Sequence, residues 1–509
     1  MLQYEHLYFV NILTLIKYWA EVQLIIFVAC FWILEVSLIP KNFKQMNKKS
    51  IFLLIFFGIL LFSSAIIAQK QWTLEECINY AYENNINIQQ SMLNVESSDL
   101  DLRQSKINLA PSLNASATQN FGWGRSPDPN TNIYATQQTA TTFFNISSDV
   151  TLFNGLQQMN NIRKAQFDYL ADKYDSDKIR NDISLNIAAA YLLILFNVEL
   201  VNNSQRQVDI SKEQINRTEK QVDAGALARG SLYDIQAQGA TEEANLITNK
   251  NNLLLAYLDL MQLLDLEASN DFDIEKPNLE ITGQPSLLPP EMIFNKSLTL
   301  MPEIKSAELR LESAGRTLAM SKGARSPRIF ASGSFGSLYS NQIKDIIGID
   351  ADKNIIWGPT TSFDSQIVDN RDGSLVFGMS IPIFNGYQVS TNIKKSKIYY
   401  ENLNLELELE KNRLRKNIES AYADAIGAYQ TYLARKKAVE ALGESFNYTE
   451  EKFNVGMENA TDYNVSKIQL ANSESDLSSA KFDYIFKTKI LDFYLGRQLT
   501  FEDIASEIE

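Results

Sequence analysis

A long internal repeat constrains the fold of this chain more than any other feature. The series Phe153-Asn154-Gly155 recurs as Phe384-Asn385-Gly386, an offset of 231 residues, and further pairs keep that offset, namely Asn161 with Asn392, Ala190 with Ala421 and Gly225 with Gly456. Upstream, Pro111 matches Pro327 at an offset of 216. An ordered series of matches indicates duplication. We therefore predict two similar halves, 69–289 and 290–509, that differ in the length of one loop.

Each half contains one predicted helix that is too long for an ordinary globular domain. Residues 155–222 and 386–454 contain no proline, and at 1.5 Å per residue each helix would span about 100 Å. Apolar or aromatic residues recur at every seventh position, as in Ile187, Ile194, Val201, Val208 and Ile215 and, in the second half, Ile418, Ala425, Tyr432, Val439 and Phe446. Heptad repeats of this length predict packing against other helices.

Four shorter helices are predicted to lie along the two long ones. They cover 73–108 and 231–266 in the first half and 290–325 and 462–496 in the second. Thr73 and Glu76 form a capping-box pattern, and Pro111 ends the first helical period. In each half the two short helices together match the long helix in length. We therefore expect a tube of helices with the turns at Gly225 and Gly456 at one end.

The hydrophobic period changes from 3.6 residues to two after Pro111 and Pro327, which predicts β-hairpins at 112–152 and 328–384. The last of these strands has one apolar face, formed by Leu375, Phe377, Met379, Ile381 and Ile383. Strands of about ten residues with one apolar and one polar face are typical of membrane β-barrels. Two half-buried soluble hairpins are the alternative. Phe121, Trp123 and Tyr339 are candidates for an interfacial aromatic belt, or for core packing in that alternative.

Four strands cannot close a barrel, and an open sheet edge cannot lie in lipid. The chain must therefore combine its strands with copies of itself. Two copies would give eight strands and a filled interior, whereas three would give twelve strands and room for a lumen. The strand pattern alone does not choose between them.

The N-terminal region resembles an export signal. Met46 is followed by Lys48 and Lys49, an apolar run over 51–62 and small residues up to Ala68, which predicts a signal peptide at 46–68 with cleavage after Ala68. Residues 1–45 are interpreted as a non-native N-terminal extension from an early start codon, with a membrane anchor as the alternative. Cys30 lies in a poor context for lipidation, so no lipid anchor is expected.

The composition argues against catalysis and nucleic-acid binding. The chain has 61 acidic and 47 basic residues, a net charge of -14, which disfavours binding to phosphate backbones. His6 is the one histidine, and Cys30 and Cys77 are the two cysteines. We therefore expect no enzyme, no catalytic residue, no cofactor and no metal site. Cys77 is interpreted as a small packed side chain on the apolar face of the first helix.

Four features of the sequence together resemble the TolC family of outer-membrane efflux proteins. They are the signal peptide, the duplicated order of helix, hairpin and two helices, the Phe-Asn-Gly starts of the long helices, and the segments 225–238 and 456–469. The resemblance covers 72–496. It implies a mainly α fold with a small β part, and a homotrimer whose twelve-stranded barrel in outer-membrane lipid continues into a twelve-helix periplasmic tunnel. It also implies that the turns at Gly225 and Gly456 dock to a periplasmic adaptor (membrane fusion) protein, with an inner-membrane transporter of the RND or ABC type.

The resemblance also places a ring of acidic residues near the inner turns, where the tunnel closes. Asp462 occupies one such position, although an aspartate there also suits an ordinary helix N-terminal cap. The second acidic position of the family is Val465 here, and the first-half counterpart of Asp462 is Ser231. An alternative charged network at the aperture would use Glu458, Arg229 and Asp234.

The sequence thus favours a passive export duct that expels small molecules or secretes polypeptides. A trimeric coiled-coil surface stalk or adhesin without a lumen is the main alternative, and an exported helical enzyme is a more distant one. The linker 267–289 is predicted to form a surface strap around the tube, with the tail after Gly496 beside it.

Overall fold

The computed structural model describes residues 71–267, 272–277, 279, 281 and 287–500. The predicted extension 1–45 and signal peptide 46–68, with His6, Cys30 and the cleavage position at Ala68, lie outside the described residues.

Helices dominate both halves. The first half contains α1 (Leu74–Asn84), α2 (Ile86–Ile107), the long α3 (Gln157–Asp223) and α4 (Arg229–Leu263). The second half contains α5 (Pro290–Leu300), α6 (Pro302–Gly323), a short α7 (Phe363–Asp369), the long α8 (Gln388–Asn454) and α9 (Ala460–Tyr494). The two long helices have 67 residues each, so the duplication read from the sequence is present in the fold.

The predicted helices 73–108 and 290–325 are each broken in two, which corrects the sequence interpretation. The breaks fall at Asn85 and Met301, whose ψ angles of 126° and 125° are extended. Met301 precedes Pro302, and a residue before proline is pushed out of helical geometry. Asn85 instead breaks the helix by capping α2, because its Oδ1 accepts from the backbone N–H groups of Asn87 and Ile88. The capping box of Thr73 and Glu76 is present at the start of α1.

Four strands form one antiparallel sheet in the order β2-β3-β5-β8, where β2 is Asn114–Pro127, β3 is Tyr134–Phe153, β5 is Arg328–Ser340 and β8 is Asp372–Ser380. The edges of this sheet are β2 and β8. The strand predicted to reach Ile383 ends instead at Ser380. Pro382 explains the difference, because proline has no N–H to donate to a sheet ladder.

The two faces of the sheet differ in polarity. Register pairs Phe144 with Ala117, and Ala331 with Phe377. The same face carries Trp123, Ile146, Leu375 and Met379, all of them exposed in the single chain. The opposite face carries polar residues, including Ser116 opposite Asn145 and Ser334 opposite Ser374. We call the first the apolar face and the second the polar face.

The connection between β5 and β8 is more structured than the outer loop predicted for 340–371. It contains β6 (Lys344–Ile349) and β7 (Ile355–Thr360), which pair as an antiparallel hairpin, followed by α7. It lies at the end of the sheet away from the helices.

A short strand ties the linker to the start of the first helix. β1 (Gln71–Trp72) pairs in parallel with β4 (Asp273–Ile274). The Tyr257 hydroxyl donates to Asp273 Oδ1 at 2.6 Å, and the Tyr191 hydroxyl donates to the Glu275 carbonyl at 2.6 Å. The linker is therefore fixed to α3 and α4 at residues 273–275.

The main core lies where α1, α3 and α4 meet. Ile187, Tyr191 and Ile194 of α3 pack there with Cys77, which is fully buried. Of the described helices, α3 alone is long and apolar enough to cross a membrane by composition. Part of its apolar surface, including Ile187, Tyr191 and Ile194, is buried in the core of the helical layer, while Leu193 is 44% exposed.

Candidate functional site

The turns between α3 and α4 and between α8 and α9 are the same structure, repeated. Gly225 and Gly456 have φ angles of 73° and 76°. In each turn a backbone N–H after the glycine closes the helix end, from Ala226 to the Gln221 carbonyl and from Met457 to the Lys452 carbonyl, both at 2.8 Å. This is the hydrogen-bond pattern of a Schellman motif. A Cβ at either glycine would meet nothing within 4 Å, so the left-handed backbone is the reason for glycine here.

The two turns present different side chains. Val455 and Met457 flank Gly456 and are 70% and 77% exposed. Alanines occupy the equivalent positions beside Gly225. The second turn therefore exposes apolar surface that the first lacks, and docking of an adaptor at Gly225 and Gly456 stays a prediction.

Asp462 lies in the first turn of α9 and is exposed. Asn459 is the N-cap, since its Oδ1 accepts from the Asp462 N–H at 2.8 Å and its Nδ2 donates to Asp462 Oδ2 at 2.6 Å. The alternative that Asp462 itself caps the helix is therefore wrong. Its carboxylate still lies at the positive end of the helix dipole and is exposed to solvent in the single chain.

The other candidate aperture residues are close in sequence to the turns but are not joined in one chain. Arg229 begins α4, Asp234 follows within the same helix, and Glu458 precedes α9. Among the described residues of the single chain, no ion pair links these three to one another or to Asp462. The charged network stays a prediction about assembled copies.

An aromatic cluster joins the two halves behind the turns. Phe453 and Tyr463 are each 1% exposed and their ring centroids are 4.9 Å apart. Ile235 of α4 and Phe446 of α8 complete the cluster. Burial raises the pKa of the Tyr463 hydroxyl. The helix pair α3–α4 of the first half is thus fixed to the helix pair α8–α9 of the second half by apolar packing close to the candidate aperture.

A buried ion pair, missed in the sequence, makes a second tie between the halves. Lys467 of α9 is 2% exposed, and its Nζ lies 3.0 Å from Glu242 Oε1 on α4. The same Nζ donates to Ser211 Oγ of α3 at 2.5 Å, and Ser211 Oγ donates to Glu242. Burial lowers the pKa of Lys467, while the Glu242 carboxylate raises it. The ammonium of Lys467, which α9 carries, therefore bonds to groups on two other helices, α3 and α4.

The sequence did contain a weak signal for this pair. At the repeat offset, Lys467 corresponds to Gln236 and Glu242 to Ser473, so each charge replaces a neutral residue of the other half. A polar cavity of 220 Å³ adjoins the pair and includes Glu474. Burial raises the pKa of the Glu474 carboxyl, an effect that Arg206 partly opposes.

The described residues contain no group of three or more histidine, cysteine, aspartate or glutamate side chains placed to hold a metal ion. The contacts described near the two turns are apolar packing, hydrogen bonds and an ion pair, all of which hold helices together.

A family model described as outer membrane efflux protein matches residues 77–265 and 293–497. The chain belongs to this family. The efflux protein is 22% identical over 443 residues to the outer membrane efflux protein BepC of Brucella suis, covering 86% of this chain and 88% of that one. It is also 22% identical over 334 residues to the outer membrane protein TolC of Escherichia coli, covering 64% of this chain and 62% of that one.

Solved structures share the fold of the efflux protein. CusC matches with a TM-score of 0.70 and 15% identity over 84% of this chain and 92% of that one. VceC of Vibrio cholerae matches with a TM-score of 0.66 and 16% identity over 83% and 96%. The fold is therefore the duplicated channel fold of this family. The protein is located in the outer membrane, with its helical part in the periplasm.

The predicted belt aromatics of the efflux protein lie on the apolar face near the end of the sheet away from the helices. Phe121 and Trp123 are exposed and stack at 6.4 Å between centroids. Tyr339 is half-buried because Phe363 of α7 packs on it at 5.3 Å. The three side chains share a face, and their role at a membrane interface stays a prediction.

Proposed function

We propose that three copies of this chain form a passive export duct, with a twelve-stranded barrel in the outer membrane continuous with a twelve-helix tunnel in the periplasm. The observation that carries the proposal is the four-stranded sheet, which has two open edges, an exposed apolar face and a polar face. An open edge is costly in lipid, so β8 of one copy pairs with β2 of the next.

The helical layer supports the same ring. Exposed apolar residues follow α2, including Met92, Leu93 and Leu100, and others follow α8, including Ile398, Tyr399 and Leu405. In one chain α3 and α6 separate these two helices, so each surface is open to a neighbouring copy. Twelve strands leave a lumen lined by the polar face, whereas eight would leave it filled.

The duct supplies no energy of its own in this proposal. A periplasmic adaptor (membrane fusion) protein docks at the turns of Gly225 and Gly456, and an inner-membrane transporter of the RND or ABC type drives transport. Relatives include the toluene efflux pump outer membrane protein TtgI of Pseudomonas putida and the toxin and drug export protein A of Aggregatibacter actinomycetemcomitans. We propose small molecules or polypeptides as the cargo of this chain too.

The aperture proposal places Asp462 of three copies in one ring at the periplasmic mouth. Like charges in a narrow mouth repel one another and attract cations. We predict that Asp462→Ala raises single-channel conductance in planar lipid bilayers and weakens block by divalent cations. Ser231→Ala, at the equivalent position of the first half, is the matched control and leaves both unchanged.

The results separate the proposals. If the wild-type protein forms no conducting channel, the duct fails and the lumen-free stalk is favoured. If it conducts but Asp462→Ala changes neither conductance nor cation block, only the acidic ring is wrong.

A further inference from the structure

Two connections cross the end of the sheet that lies away from the helices, and they differ in the number of apolar side chains that they expose. The β2–β3 turn, 128–133, is Asp-Pro-Asn-Thr-Asn-Ile and is held by hydrogen bonds from Asn130 to Asp128. The other connection, Lys344–Asp369, contains β6, β7 and α7, and we call it the outer-rim segment. It exposes five isoleucines by 44% to 68% of their surface, namely Ile346, Ile347, Ile349, Ile355 and Ile356.

The exposed isoleucines need a cover. A hairpin of two strands is marginally stable by itself in water, and clustered exposed apolar side chains mark a surface that contacts protein or lipid. Charged residues occur only at the base of the hairpin, at Lys344 and Asp345, and at its tip, at Asp350, Asp352 and Lys353. The apolar stretches between them are uninterrupted.

The helix that follows the hairpin shows which side of the sheet this segment occupies. Phe363 packs on Phe144 at 6.3 Å and on Tyr339 at 5.3 Å between centroids, and both partners lie on the apolar face. Ser337 of the same face donates to the Ile367 carbonyl at 2.8 Å. Helix α7 therefore lies against the face that the proposed barrel turns toward lipid.

Hydrogen bonds fix α7 in that position. Strand β8 pairs with β5 only as far as Gly336, so the last residues of β5 lack a strand on that side. The Gln366 side chain accepts from the Ser340 N–H and donates to the Ser340 carbonyl, both at 2.9 Å. Asn370 Nδ2 donates to the Leu338 carbonyl at 2.9 Å. The helix takes the place of the missing strand at the rim.

We propose that the outer-rim segment lies in the outer leaflet beside the barrel and binds lipid acyl chains through its isoleucines, with Trp357 at the interface. The argument is continuity, since α7 joins the hairpin directly to the apolar face, where Phe121 and Trp123 are exposed. A lid of three hairpins over the barrel mouth would instead turn the isoleucines toward other copies. The inference rests on the proposed barrel.

Tryptophan fluorescence tests this placement. The chain has five tryptophans, at 19, 32, 72, 123 and 357. Replacing all but one with phenylalanine gives a Trp357 protein, a Trp123 protein and a Trp72 protein. Each is reconstituted in phosphatidylcholine vesicles with bromine near the carbonyl end of the acyl chain, and emission is compared with that in unbrominated vesicles. Acrylamide reports exposure to water.

We expect brominated lipid to reduce Trp357 emission by a loss comparable with that of Trp123, while Trp72 emission is unchanged. Adding Ile346→Ser and Ile356→Ser to the Trp357 protein should weaken the lipid effect and strengthen quenching by acrylamide. Quenching of Trp357 by acrylamide alone places the hairpin in water, and quenching by neither agent favours the lid. Either result overturns this inference. If Trp123 is also insensitive to brominated lipid, the barrel proposal itself fails.

Discussion

The two copies of the Phe-Asn-Gly motif have the same backbone conformation but different surroundings. Gly155 and Gly386 have φ angles of 66° and 60°, and the next residues, Leu156 and Tyr387, are left-handed as well. A Cβ on Gly155 would lie 2.2 Å from the Gly323 carbonyl oxygen at the end of α6. A Cβ on Gly386 would meet nothing within 4 Å.

The difference shows that a single copy of the chain lacks a packing partner for the second motif. The first motif packs against α6 of its own chain, whereas the second lies at an open surface where Ile383 and Phe384 are 94% and 77% exposed. The repeated sequence therefore encodes a contact that a single chain makes only once. In the proposed ring the end of α2 from the next copy supplies the second contact.

Alanine at the two glycines is the strongest test of this comparison. Gly155→Ala adds left-handed strain and a backbone clash, so we expect it to lower stability by about 3 kcal/mol or more. Gly386→Ala should cost the single chain only the strain, about 1–2 kcal/mol, yet hinder trimer assembly. Circular dichroism during heating reports folding, and native mass spectrometry reports the oligomer.

Gly427→Ala provides the control, because Gly427 is exposed within α8 and a Cβ there meets nothing within 4 Å. It should stabilise slightly, by about 0.5–1 kcal/mol. Trimers that form normally with Gly386→Ala would contradict a tight contact at the second motif.

Those features of the fold that depend on local pattern could be predicted from the sequence. The heptads and the glycines placed α3 and α8 to within about two residues, and they identified both turns, because a left-handed helix end requires glycine. The break at Met301 also had a local signal in Pro302. The break at Asn85 did not, since an asparagine inside a helical pattern caps a new helix only when the backbone bends there.

Features that depend on distant partners could not be predicted. Lys467 and Glu242 are 225 positions apart, and in a heptad pattern each resembles an exposed charge. Only the packing of α9 against α3 and α4 buries them together. Helix α7 was missed for the same reason, because its position depends on the length of β8 and on the rim of β5.

Substitution in the buried ion pair of Lys467 and Glu242, which joins the halves, should lower the free energy of unfolding more than substitution in an exposed ion pair within one half. Lys467→Met leaves Glu242 buried without its cation, which should cost about 3–5 kcal/mol. Arg435 pairs with Asp476 at 2.8 Å, but both side chains are about half exposed, so Arg435→Met should cost about 0–1 kcal/mol. Chemical unfolding in detergent measures both values.

The double variant with Lys467→Met and Glu242→Met separates pairing from packing. It should recover much of the loss, because neither charge remains buried. Equal losses for Lys467→Met and Arg435→Met would mean that this contact does not hold the halves together.

The smallest expected effect is a dependence of stability on pH that arises from one residue of the second half, Glu474. Burial raises the folded pKa of Glu474 above its ordinary value of 4.5, so the fold favours the neutral carboxyl. Its contribution to stability is therefore greatest below that value and falls as the pH rises through the folded pKa. Glu474→Gln mimics the neutral form, and its stability advantage over the wild-type chain should grow as the pH rises above 4.5 and through the raised pKa of Glu474.

The repeat again supplies the control for this pH effect, since the counterpart of Glu474 is Glu243, whose side chain is 57% exposed beside Lys212. Glu243→Gln removes an exposed carboxylate, and thermal unfolding of this variant at the same pH values is the baseline against which Glu474→Gln is compared. A trend of equal size in both variants would mean that the cavity beside Lys467 is as wet as the surface. The asymmetry between the halves would then be one of packing alone, without an electrostatic part.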